Sequence, residues 1–203
     1  MTKLLLATAN PGKIREMKAL LSDLKIELVT PLDLGLDLEV VEDGATYAEN
    51  AALKALAYAQ ASGLLTLADD SGLEVDALGG LPGIHSHRLD SRPGATDADR
   101  RAVLLERLQG SPRPWGARFH CTVALAVPSH EVRYAGGECP GEIIPEERGR
   151  NGIGYDPIFL IPQLGLTMAE LSMEEKNRYS HRSRAVTAAR PILSEVISGK
   201  RWL

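Results

Sequence analysis

The chain has 203 residues, of which 44% are hydrophobic and 25% charged, a composition that suits a globular domain and excludes disorder. Nine aromatic residues and a net charge of −4 argue against stacking along a nucleic-acid strand and against general polyanion binding. The charge is uneven: Pro31–Asp76 holds ten acids against one base, Lys54, whereas Lys176–Arg190 holds five bases, His181 and no acid.

In chain order, Lys3–Leu6 reads as a short apolar strand, followed by a helix from about Pro11 to Ser22. The opening apolar run meets Pro11 and Gly12 too soon for a signal-peptide core, and no run approaches a membrane span, so a cytoplasmic protein without membrane contact is expected. Tyr47–Ala61 is alanine-rich and helical, with Gly63 as its stop, and Leu64–Ala68 reads as a buried strand running into Asp69. Thr96–Leu108 is a helix capped by Thr96, with Asp97 and Asp99 at its positive end. Phe119–Val127 and Glu131–Tyr134, joined by Pro128–His130, read as a hairpin. Ile158–Ile161 is another strand, and Ser180–Ser198 a helix that Pro191 would kink. Strands mixed with helices predict an α/β fold around a mixed sheet. Cys121 and Cys139 stand 18 apart without a CxxC spacing, which points to reduced thiols.

Five segments can carry chemistry. In Thr8-Ala9-Asn10-Pro11-Gly12-Lys13, Asn10 suits a helix cap and Pro11 the first helical position. The segment is either a bare strand-to-helix turn or an anion site made of free backbone amides, the helix dipole and Lys13. Asp69-Asp70-Ser71-Gly72 follows an apolar strand and is either a metal-dependent centre or a turn in which Asp70 and Ser71 cap backbone amides. Consecutive strand residues point to opposite faces, so the two acids can serve different partners. Lys54 shares a helix face with Asn50 and is either a counter-charge or a phosphate ligand. Gly149–Pro157 is a surface loop or a glycine-rich approach to a flat ligand, with Tyr155 and Asp156 as aromatic face and acceptor. The basic run from Lys176 to Arg182 is a solvated helical face or a reader of phosphate or polar edges. His85 and His87 lack a third histidine nearby and are not read as metal ligands.

The order of the blocks TANPGK, EDGATYAENAALKA, ADDSGLEVDALGGLPG, GIGYDPIF and TMAELSMEEKNRYSHR resembles the inosine triphosphate pyrophosphatase family, from Thr8 to Arg182. The resemblance implies a single pyrophosphatase domain, 1–203, with a two-lobed α/β fold around a long mixed sheet and an active-site cleft between the lobes. It implies a homodimer that hydrolyses ITP, dITP and XTP to monophosphate and pyrophosphate with Mg²⁺. By the same resemblance Thr8, Ala9, Asn10, Pro11, Gly12 and Lys13 cradle the triphosphate and Lys54 adds a second charge. Glu42, Asp69 and Asp70 form the Mg²⁺ centre, Asp70 accepts the proton of the attacking water, and Ser71 contacts the nucleotide. Ile153, Gly154, Tyr155, Asp156, Lys176, His181 and Arg182 hold the purine, with Lys176 or Arg182 donating to its 6-oxo group. The sequence departs from the family's pattern at Ile153, where an aromatic is usual, which leaves Tyr155 or hydrogen bonding to recognise the base, and at His87, where a small residue is usual.

Overall fold

The computed structural model describes residues 2–198. The single-domain expectation of 1–203 also takes in Met1 and residues 199–203, which lie outside the described residues. In chain order the elements are β1 (Thr2–Leu6), α1 (Pro11–Leu20), β2 (Ile26–Val29), α2 (Tyr47–Ser62), β3 (Leu65–Val75), β4 (Pro82–Gly83) and α3 (Asp97–Arg107). They continue as β5 (Trp115–Ala126), β6 (Arg133–Ile143), β7 (Phe159–Ile161), β8 (Leu166–Thr167), α4 (Met173–Tyr179) and α5 (His181–Ile197). The strands form an eight-stranded sheet in the order β2-β1-β3-β5-β6-β7-β8, with β4 paired to β3. The sheet is mixed, as expected: β1 runs parallel to β2 and β3, whereas β3–β4, β6–β7 and β7–β8 are antiparallel.

The chain divides into two compact units. The first takes in the described residues up to Asp70, Cys121–Gly137 and those from Arg182 on; the second comprises Ser71–His120 and Glu138–His181. In the first unit the strands are buried on both faces, and the two-residue period of a strand sorts their side chains. Leu4 and Leu6 of β1, Leu65 and Leu67 of β3 and Cys121, Val123 and Leu125 of β5 pack with Met17 of α1 and with Ala185, Val186 and Ala189 of α5. Leu5 and Ala7, Ala68, and Ala124 and Ala126 pack on the other face with Ala51, Ala55 and Tyr58 of α2. The alanines that make α2 a good helix former also let it lie close to the sheet.

The core of the second unit gathers Leu73, Leu104, Leu108, Trp115, Phe119, Ile158, Phe159 and Met168. Phe119 and Phe159 meet with centroids 4.4 Å apart. Leu104 and the capping Leu108 tie α3 into this core, while a capping box between Thr96 and Asp99 fixes its start.

Three expectations are revised. The strand predicted over Leu64–Ala68 continues to Val75, so Asp69 and Asp70 sit inside β3 rather than beyond its end. The polar run DDSG reads as a terminus, yet Asp69 and Asp70 find buried ionic and hydrogen-bonding partners that let the strand carry on. The basic run from Lys176 to Arg182 is not one helical face, because Ser180 adopts an extended backbone and separates α4 from α5. The predicted hairpin is longer than its apolar stretches: β5 begins at Trp115 and β6 ends at Ile143, and burial alternates over Trp115–His120 before the continuously buried Cys121–Ala126. Pro191 lies inside α5.

Thr96→Ala removes the hydroxyl that accepts from the Asp99 amide and donates to Asp99 Oδ2, leaving only the backbone N–H bond of the α3 capping box. A loss of about 1 kcal/mol is expected, a fall of about 2–4 °C in the unfolding midpoint by circular dichroism.

Candidate functional site

Asn10 caps α1 as its type and position predict, with Pro11 at the first helical position. Its side-chain oxygen accepts from the Gly12 and Lys13 amides at 2.9 and 3.2 Å. Those two amides, expected to be free for an anion, are therefore satisfied by the cap itself. Thr8 Oγ1 accepts from the Asn10 amide at 3.2 Å. What the segment still offers an anion is the positive end of α1, the exposed Asn10 and the ammonium of Lys13.

Strand alternation places the two carboxylates of β3 in different surroundings. Asp69 points to the α1/α5 face, where Lys13 Nζ lies 3.0 Å from Oδ2 and the Arg182 guanidinium donates to the same oxygen at 3.2 Å through Nε and Nη2. Arg182 also pairs with Glu16 of α1. Arg182, Asp69 and Glu16 are all buried, which forces them to neutralise one another. Burial raises the Asp69 pKa, but Lys13, Arg182 and Lys54 overcome it and hold the carboxyl well below the usual range. Cys121 lies with its Sγ 4.0 Å from Asp69 Oδ2, and burial with the neighbouring carboxylate pushes its pKa up to about 12, so it remains a neutral thiol. Asp69 Oδ1 is buried without a hydrogen-bond partner among the described residues.

Asp70 points the other way, toward α2. The Asn50 amide donates to its Oδ2 at 3.2 Å and Lys54 Nζ stands 3.9 Å from Oδ1. Burial raises the Asp70 pKa, Lys54 and Lys13 pull it down only in part, and Glu42 adds to the rise. It is the better proton acceptor of the two. Lys54 also donates to Glu42 at 2.8 Å. Burial lowers the Lys54 pKa, yet Asp69, Glu42 and Asp70 outweigh it and hold the pKa above the ordinary value.

Glu42 reaches Lys54 because the loop before α2 is bound down on the helix start. The Gly44 amide donates to Asn50 Oδ1 at 2.9 Å, the Ala45 amide to Glu49 at 2.6 Å, and Thr46 caps α2 through the Glu49 amide at 3.1 Å. A Cβ on Gly44 would lie 2.7 Å from Glu49 Cβ and 2.8 Å from Asn50 Oδ1, so only glycine fits this approach. Asn50 thus fixes both the loop and Asp70. It and Glu16 are the residues that the sequence reading left out of the site. Asn50 gave a signal, since it stands four positions before Lys54 on one helix face, whereas nothing local to Glu16 marked a partner 166 positions away.

No three His, Cys, Asp or Glu side chains among the described residues converge as a ready metal-ligand group. The expected trio is divided by strand alternation, Asp69 on one face and Asp70 with Glu42 on the other. The donors themselves fit a hard divalent cation. They are carboxylate oxygens, Asp69 Oδ1 lacks a partner, and Glu42 and Asp70 already share one positive charge on Lys54.

The second unit holds the glycine-rich loop. Lys176 Nζ donates to Asp156 Oδ2 at 2.6 Å, a pair almost wholly buried, and the Ile153 amide donates to the same oxygen at 2.7 Å. His181 is buried and stacks on Phe119 with centroids 4.6 Å apart. Tyr155 is a core residue: its ring is buried, its hydroxyl donates to the Ser86 carbonyl at 2.8 Å, and burial raises the pKa of the phenol. The face offered for stacking on a base is thus taken up by packing. Arg182, expected to donate to a purine, instead spends its guanidinium on Glu16 and Asp69, because a buried arginine must meet acids first. Ser71 follows Asp70 on β3 and is half-buried. His87 lies in a short 3₁₀ turn, Ser86–Arg88, where its carbonyl accepts from Arg100 at 2.7 Å.

Buried carboxylates matched to lysines stand beside the capped start of α1, a charged cluster inside the first unit. Residues 4–192 match the model of the Ham1 family. The chain is 46% identical over 195 residues to a dITP/XTP pyrophosphatase of Desulforamulus reducens, covering 96% of each chain. It is 49% identical over 189 residues to one of Thermus thermophilus, covering 92% of this chain and 89% of the relative. Its fold matches a solved HAM1 protein from Coxiella burnetii with a TM-score of 0.86 at 40% identity, covering 96% of this chain and 100% of the other. The chain belongs to the Ham1 family and is an enzyme, a hydrolase of phosphoric anhydride bonds.

Arg182→Met leaves Asp69 and Glu16 buried without their shared cation. A loss of about 3–5 kcal/mol is expected in urea unfolding. Because folded Asp69 titrates below its unfolded value, its contribution is full above about pH 4 and fades as pH falls further. The deficit of the variant should therefore shrink in acid.

Proposed function

We propose that the protein hydrolyses non-standard purine nucleoside triphosphates (ITP, dITP and XTP) to the monophosphate and pyrophosphate, with Mg²⁺. The observation that carries the reading is the Asp70 carboxyl, raised in proton affinity by burial and flanked by Lys54 and Asn50, in a chain whose relatives are named dITP/XTP pyrophosphatases. A general base works best when its pKa is lifted toward the working pH, which suits Asp70 to take the proton of a water attacking the α-phosphorus.

Thr8, Ala9, Asn10, Pro11, Gly12 and Lys13 receive the triphosphate at the positive end of α1, and Lys13 and Lys54 neutralise charge on the departing pyrophosphate. Glu42, Asp69 and Asp70 would hold Mg²⁺, which when bound offsets phosphate charge and polarises the anhydride. Arg182 serves this centre at one remove, keeping Asp69 ionised and in place. Ser71 contacts the nucleotide. The purine is held by Ile153, Gly154, Asp156, Lys176 and His181, with Tyr155 contributing main chain because its ring is committed to the core. Lys176 has N–H groups beyond the one that it gives to Asp156, so it can also donate to a 6-oxo purine, an acceptor that adenine lacks, and a mismatch of this kind can discriminate by about 10⁴–10⁵. The reading includes one catalytic domain over 1–203, acting as a cytoplasmic homodimer on free nucleotides rather than nucleic acid or membranes. Net charge and composition support the last point.

Assayed with Mg²⁺, the protein should release pyrophosphate from ITP, dITP and XTP far faster than from ATP or GTP. Equal rates on all five, or phosphate as the product, would overturn the reading. Asp70→Asn should lower turnover at least about 100-fold while calorimetry still detects ITP binding. Turnover near the parent rate would remove Asp70 from its assigned role.

A further inference from the structure

The loop that carries Ile153 and Gly154 has three left-handed glycines, Gly149 at φ +82°, Gly152 at φ +87° and Gly154 at φ +62°. Such glycines have the widest choice of conformation and gain a single shape only through outside contacts. One contact comes from within the loop: the Asp156 carboxylate, held by Lys176, accepts from the Ile153 amide. The other comes from α3. The Gly154 amide donates to Asp97 Oδ2 at 2.9 Å, and the Gly154 carbonyl accepts from Arg101 Nη1 at 2.8 Å. Asp97 and Arg101 stand four positions apart on one face of α3, so a single helical turn grips both polar groups of one glycine.

The grip is itself braced. Arg101 forms a two-pronged pair with Glu147, Nε to Oε1 at 2.8 Å and Nη2 to Oε2 at 3.0 Å, and its side chain is only 11% exposed. Asp97 pairs with Arg100 at 2.9 Å. α3 has a capping box at its start and Leu104 and Leu108 in the core, so it is a rigid support. The recess lined by Asp97, Arg101, Glu147, Ile153 and Gly154 has a volume of about 260 Å³, below the usual 300–1,000 Å³ of a ligand pocket. It is better read as the braced back of the loop than as a second ligand site.

We propose that Asp97 and Arg101 are positioning residues that set purine discrimination, by fixing the Gly154 peptide groups and with them the loop that receives the base. The inference rests on the reading of Ile153–Asp156 as purine-binding. Neither residue is among those assigned to the phosphates or to the attacking water, so the effect falls on substrate affinity and base choice and spares the hydrolytic step.

The test is steady-state kinetics of the full chain with ITP and ATP, together with inhibition by inorganic pyrophosphate, which probes the phosphate end alone. Asp97→Ala and Arg101→Ala should each raise KM for ITP about tenfold, leave kcat within about twofold, and narrow the ITP-to-ATP ratio of kcat/KM about tenfold. The pyrophosphate inhibition constant should not move. Asp97→Asn keeps an oxygen that accepts from the Gly154 amide and should restore the parent KM. If both alanine variants keep KM and discrimination, or if Asp97→Asn behaves like Asp97→Ala, the positioning role falls while the purine reading stands. If kcat, KM and pyrophosphate inhibition all shift together, the residues are merely structural and the inference is overturned. If the parent protein itself does not distinguish ITP from ATP, the purine reading fails and the inference fails with it.

Discussion

The first unit is organised around a negative charge that is buried away from its surface. Asp69 is inside a strand, covered on its face by α1 and α5, and remains ionised because Lys13 and Arg182 share one of its oxygens. The desolvation of three charged groups is offset only if all are held in place together, and the elements that hold them are α1, β3 and α5. α1 brings both Lys13 and Glu16 to this cluster, one helical turn apart, so the helix whose start faces solvent also supplies two groups to the interior. The phosphate-facing end and the hidden ionic core are thus built by one helix and cannot be adjusted separately.

Against that fixed charge, Asp70 gains its difference. Adjacent in sequence and chemically alike, the two acids diverge because a strand turns successive side chains to opposite faces. On the α2 face Asp70 meets one lysine at 3.9 Å and an amide at 3.2 Å, and burial prevails, lifting its proton affinity. Asp69 meets an arginine and a lysine at contact distance, and charge prevails. One carboxylate becomes an anchor, the other a base. The same logic separates Lys176 from Arg182: the lysine is spent on Asp156 within the second unit, the arginine on Asp69 and Glu16 within the first.

Local chemistry made much of this legible. Asn10 and Pro11 announce the start of α1, Gly63 the end of α2, and Thr96 the start of α3, since each acts on backbone groups within a few residues. The order of five blocks carried the family. The far end of β3 was not legible, because Asp69 and Asp70 look like strand breakers unless their buried partners are known. Arg182 was assigned to the base for the same reason: its acids lie 113 and 166 positions away, beyond any periodicity or spacing argument. Tyr155 followed suit, as an aromatic in a glycine-rich loop reads as a ligand platform until its hydroxyl is found on the Ser86 carbonyl.

The close seat of Gly44 on α2 has a consequence for how this loop can vary. The amide of Asn50 faces two ways, its oxygen toward the Gly44 N–H and its nitrogen toward Asp70. Any side chain at Gly44 presses on that oxygen, and a rotated or displaced amide offers Asp70 a lone pair in place of an N–H. A change in a surface loop would then be felt as repulsion at a carboxylate two side chains away. The permissible sequences at position 44 are limited by the electrostatics of Asp70, even though the glycine itself needs no unusual backbone angle.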